Sequence, residues 1–220
     1  MSHQDNVTKS NLRTPRAAAV AGIIFSIMLF LAFWLLRVST GPSGSNARLG
    51  EHAKAITVAL SLIPFSGIAF LWLIGVLRDR LGQREDRLLA TVFLGSGLLF
   101  LSMLFSAAAV ASAALTMYSS AQEPDLRMLA FAQTLVSDLT NIYAVKMAGV
   151  FMFSISTIVI STGFAPRYIG FLGYGLALFL LFGNLYVEWS FLVFPAWVLL
   201  LSAQVLANDL GRRSDVHNPS

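Results

Sequence analysis

The chain has 220 residues, 56% apolar and 12% charged, with a mean hydropathy of +0.72. A soluble domain carries roughly 25% charged residues, whereas here the few charges gather between apolar runs close to or beyond the roughly 20 residues that cross a bilayer, which excludes an ordinary soluble domain. The net charge of +4 fits basic residues held in cytoplasmic loops rather than a nucleic-acid-binding face, and the lack of cysteine rules out disulfides, thiol nucleophiles, iron–sulfur clusters and thiolate zinc sites.

Residues 1–16, with Lys9, Arg13 and Arg16, read as a cytoplasmic tail. The apolar run 17–36 exceeds the roughly 7–15 residues of a signal-peptide core and ends in the anchor-like Trp34 and Arg37, so a retained helix is expected. Gly41, Pro42, Gly44 and Gly50 mark residues 38–51 as a loop. The second span covers 56–77 and contains Pro64, whose missing donor a helical bundle accommodates. After a charged turn at 78–87, the third runs over 88–118, about 31 residues or roughly 46 Å, too long for a hydrocarbon core of about 30 Å.

Glu123-Pro124-Asp125 breaks the pattern, and a fourth helix is expected over 126–162, beginning as an amphipathic piece and also overlong. The fifth and sixth spans are 167–183 and 191–207, close antiparallel neighbours, and 208–220 is expected to be a disordered cytoplasmic tail. The expected fold is therefore an all-α, polytopic transmembrane helical bundle over 17–207, of about six spans.

Orientation follows from the basic residues. Lys9, Arg13, Arg16, Arg78, Arg80, Arg84, Arg87, Arg167, Arg212 and Arg213 fall on the side of the termini, against Arg37, Arg48, Lys54 and Arg127 on the other. This bias places both termini in the cytoplasm and the chain in the cell membrane as a multi-pass protein.

On the third helix Gly95, Ser102, Ser106, Ala109 and Ala113 share an arc of about 60°, and small residues on one face let helix backbones approach closely in lipid. Packing within the bundle is expected of that face, with a homodimer seam as the alternative. Gly170, Gly173, Gly175 and Ala177 give the fifth helix a similar character.

Lys146 is the one lysine or arginine well inside an expected span. Such charges commonly face a bundle interior or a water-filled cavity. Tyr143, Lys146, Ser154, Thr157 and Ser161 lie within an arc of about 80°, and the hypothesis is a substrate or ion path in which Lys146 receives an anionic group. The competing reading has the lysine stem snorkelling to water and the hydroxyls bonding back to their own helix. Gln133, Asp138 and Asn141 lie near the outer end of the same helix, and Glu188 reads as a solvated residue in the outer turn between the last two spans.

Two resemblances add to this. Gly75, Leu77, Asp79, Arg80, Gly82 and Arg84 are similar to the G-x-L-x-D-R-x-G-x-R loop between the second and third helices of major facilitator transporters, where it braces two six-helix halves; the resemblance implies transport. Local electrostatics also accounts for the loop, since Arg78 and Arg80 complement the end of the second helix while Glu85 and Asp86 complement the start of the third. More broadly, residues 66–72, the Arg78–Arg87 loop, residues 93–100 and Ala165-Pro166-Arg167 resemble uncharacterised six-helix membrane proteins of bacteria, especially actinobacteria. That resemblance implies fold and a plasma-membrane location and no site residues.

His3, His52 and His217 all fall in expected tails or loops, which argues against a buried bis-histidine haem or a histidine-based metal site. No cofactor, metal or enzymatic activity is expected. The expected function is a membrane-embedded assembly or scaffold component, with the lipid bilayer and either a second copy or another membrane protein as partners. A small transporter or channel-like protein using the fourth helix is the alternative.

Overall fold

A computed structural model describes residues 2–40, 52–81, 87–120, 125–163, 165–183 and 190–217, which are almost wholly helical and contain no strand. The helices are α1 (Ser2–Thr40), α2 (Ala53–Leu81), α3 (Arg87–Ser120), α4 (Leu126–Thr162), α5 (Arg167–Gly183) and α6 (Val193–His217), the last preceded by a 3-10 turn at Ser190–Leu192. Two stretches are π-helical: Leu139–Ala144 within α4 and Phe179–Gly183 at the end of α5.

Five segments are long and apolar enough to cross a membrane: Arg16–Ser39, Ala53–Arg78, Leu88–Ser120, Leu126–Thr162 and Ser190–Asn208. The segments in α3 and α4 have 33 and 37 residues against 24 and 26 in α1 and α2. At 1.5 Å per residue they reach about 50 and 55 Å, so both outrun a hydrocarbon core of about 30 Å. α5, with 12 α-helical and 5 π-helical residues, is apolar but shorter. Helix also extends beyond the expected spans at both ends, back to Ser2 and on through residues 208–217, part of the segment expected to be a disordered tail.

Local chemistry sets the helix ends. The Asp125 carboxylate accepts from the backbone N–H of Arg127 at 2.9 Å and of Met128 at 3.5 Å, capping the start of α4. Gly163, at φ +67°, ends α4 in the left-handed conformation that lacks a steric penalty only for glycine, and its N–H reaches the Val159 carbonyl at 3.0 Å. Pro166 then opens α5 with its carbonyl accepting from Ile169 N–H at 3.0 Å. This tight reversal folds α5 back along α4.

The centre is a cluster of phenylalanines drawn from five helices: Phe25, Phe70, Phe93 and Phe100, Phe151, and Phe194, all buried. Ring centroids lie 4.7 Å apart for Phe25–Phe70, 5.0 Å for Phe70–Phe151 and 4.9 Å for both Phe93–Phe151 and Phe100–Phe194. Apolar surroundings give little hydrophobic drive to helix association, so such close ring contacts carry much of the cohesion, about 0.5–1.5 kcal/mol per pair beyond area burial.

This cluster overturns the packing expected of α3. Phe93, Gly97, Phe100, Leu104 and Ala107 face the centre and are buried, or in Gly97 sit with Ile74 and Phe151 at close approach. The face bearing Ser102, Ser106, Ala109 and Ala113 is on the opposite side of the helix and is exposed. Gly95 is half-buried, with open space where a side chain would go. The reason is steric: the large rings take the inward positions, and the small face is left outside. On α5, Gly170, Gly173 and Ala177 do pack inward, while Gly175 is exposed.

Candidate functional site

The polar stripe of α4 can be followed residue by residue. Tyr143 and Ser161 are exposed, Lys146 and Thr157 half-buried, and Ser154 buried. α5 meets this stripe at Lys146 and Thr157. The Lys146 ammonium donates to the carbonyl of Leu181, and to that of Leu180 at 3.4 Å. These carbonyls belong to the π stretch Phe179–Gly183 of α5. Lys146 therefore ties α4 to this stretch of α5.

The hydroxyls are engaged as well. Ser154 Oγ donates to the Val150 carbonyl at 3.0 Å, Thr157 Oγ1 to Phe153 at 3.0 Å, and Ser161 Oγ to Ile158 at 3.1 Å, each within its own helix. Thr157 also meets the Tyr174 hydroxyl of α5 at 2.9 Å. Further along the seam, Gly173 sits against Ser156 and the Trp197 ring, so that a Cβ there would lie 2.8 Å from Trp197 Cζ2. Ser156 Oγ is buried without a hydrogen-bond partner, and the Trp197 indole N–H reaches the Ile169 carbonyl at 3.4 Å. Two residues of the stripe, Lys146 and Thr157, thus lie where α4 and α5 join, beside Ser156 and Ile160.

A different site lies at the end of the bundle where α3 and α4 outrun their neighbours. α1, α2, α3 and α4 line an open cavity of about 510 Å³, within the roughly 300–1,000 Å³ of ordinary ligand pockets. Leu36, Leu60, Leu104, Ala111 and Leu129 give it apolar walls, and Arg37, Gln133, Ser137 and Thr140 add polar groups. A second cavity, of about 390 Å³, lies between the tips of α3 and α4, bordered by Met117, Tyr118, Met128 and Phe131. Near it Phe131 is 68% exposed and Leu126 60%, so the projecting pair carries an apolar surface outward.

Other expected site residues are scattered. Asp79 and Arg80 fall in the last turn of α2, while Gly82 and Arg84 lie outside the described residues, as do Glu123, Pro124 and Glu188. Asp138 is half-buried where the π stretch of α4 begins, and Asn141 Nδ2 donates to Ser137 Oγ at 3.2 Å. His3 and His217 are in the first and last turns of α1 and α6, and among the described residues no three histidines or acids gather as metal ligands would.

Arg37 is the residue that sequence reasoning passed over as a site. It was legible only as a cation ending an apolar run, and its place at a cavity depends on the splaying of four helices. No family model, curated protein or solved structure matches the chain.

Proposed function

We propose that the chain is a multi-pass protein of a bacterial plasma membrane, with six crossings and cytoplasmic termini, and that it acts as a non-transporting assembly component. The sixth crossing is supported by the antiparallel seam: Gly170 meets Ile160, Gly173 meets Ser156, Tyr174 meets Thr157 and Leu181 meets Lys146. α5 accordingly returns through the depth that α4 occupies over those residues. An even number of crossings then agrees with the bias of basic residues toward the two termini.

One observation carries the assembly reading. Ser102, Ser106, Ala109 and Ala113 form an exposed, small-residue face on α3, opposite the inward-facing Phe93, Phe100 and Leu104. A lipid-facing surface has no need of small residues, whereas a second helix approaching closely does. The phenylalanine centre and the α4–α5 seam support the non-transporting half of the reading, because both fill the interior with side-chain contacts.

The chain contains no cysteine, so single cysteines at Ser102, Ser106, Ala109 or Ala113 can be cross-linked in native membranes without background. Adducts at these positions and none from a cysteine at Leu104 on the buried face are expected, with doubled mass for a second copy and another mass for a different partner. Equal recovery of uncross-linked protein at every position would refute the docking face.

A further inference from the structure

The cavity of about 510 Å³ combines three features. Its walls are apolar and come from α1, α2, α3 and α4; among the described residues that line it, Arg37 alone is charged; and Gln133, Ser137 and Thr140 of α4 add polar groups to the lining. The depth of the cation can be placed from the helix itself. Arg16 to Arg37 spans 21 helical steps, about 32 Å, which matches the hydrocarbon thickness between two interfaces. Arg37 therefore stands at headgroup level when Arg16 stands at the opposite one. From there the α2 wall runs inward from Ile56 to Ile63, about 10 Å of apolar surface below the guanidinium.

We propose that this cavity holds an anionic phospholipid, with one acyl chain against Leu60, Leu104 and Ala111 and the headgroup phosphate at Arg37. A neutral apolar ligand would bring no charge to the guanidinium and no acceptor to the amide of Gln133. A soluble anion would leave the apolar walls facing water. An amphiphile with one negative head matches both, and guanidinium and phosphate pair through two parallel hydrogen bonds. The overlong α3 and α4 supply the wall beyond the headgroup level, which shorter helices would leave open.

The test is native mass spectrometry of the full-length chain in mild detergent, titrated with phosphatidylglycerol or with zwitterionic phosphatidylcholine of the same acyl chains. The wild type is expected to retain one phosphatidylglycerol per chain, ahead of phosphatidylcholine by about fivefold, the effect of one basic residue on an anionic lipid. Arg37→Gln should bring the two lipids level. Ala111→Phe fills the space and should remove retention of both, with Ala108→Leu as a milder filling variant should the first fail to fold. Equal retention of the two lipids by the wild type would overturn the headgroup assignment. A wild type that retains neither, as when a partner helix occupies the groove, would overturn the proposal, and so would a folded filling variant that retains phosphatidylglycerol as the wild type does.

Discussion

The two halves of this bundle solve opposite problems. In the half that holds Phe25, Phe70, Phe93, Phe100, Phe151 and Phe194, each large ring finds others within about one ring diameter, and helices meet at glycines such as Gly97 and Gly173. Where α3 and α4 outrun the rest, the same chain leaves cavities of about 510 and 390 Å³ and exposes Phe131 and Leu126. What separates the two halves is how many helices share the level. The closed half supplies cohesion, and the open half is left with surfaces that something else must cover.

Substitutions that break this contrast should differ widely in effect. The largest is expected at the ring cluster: Phe70→Ala removes a fully buried side chain and should cost about 3–5 kcal/mol, whereas Phe131→Ala in the open half should leave the melting midpoint in detergent nearly unchanged. Next, Gly173→Leu drives a side chain into Ser156 and Trp197 and should cost about 1–3 kcal/mol or more, while Gly175→Leu, two residues away with open space around it, should cost nothing. The paired melts separate close packing from any general intolerance of α5 to change.

Lys146→Met sharpens the comparison along the seam. It leaves the Leu180 and Leu181 carbonyls without the ammonium and should cost about 1–3 kcal/mol, with faster amide exchange confined to residues 179–183; Lys54→Met, at an exposed position, should change neither. Smallest of all, Thr157→Val loses one inter-helix hydroxyl contact with Tyr174, worth about 0.6 kcal/mol, and is best read in a double-mutant cycle with Tyr174→Phe.

The legible parts of the fold were those set by local chemistry. Glu123-Pro124-Asp125 announced the break between α3 and α4, and Asp125 caps the start of α4. Both overlong helices could be measured from their apolar runs. The inward face of α3 could not, because the helix is apolar all round: the small face and the phenylalanine face have equal claims until rings from five helices meet. Lys146 stood out by its position, yet the carbonyls of Leu180 and Leu181 that it reaches lie in a π turn that no side-chain pattern announces. The cavity was illegible for a similar reason, since its walls are ordinary leucines and alanines placed by helix divergence.

The central claim is that α4 is packed where it carries Lys146, Ser154 and Thr157, and that the working surfaces lie in the open half. Aqueous thiol labelling tests it most directly, using Ser154→Cys in an otherwise cysteine-free chain with Ser119→Cys, exposed near the end of α3, as the reference. A water-soluble maleimide should modify position 119 readily and position 154 only after denaturation. Labelling of position 154 in the folded protein at a rate near that of position 119 would put water along the stripe and contradict the claim.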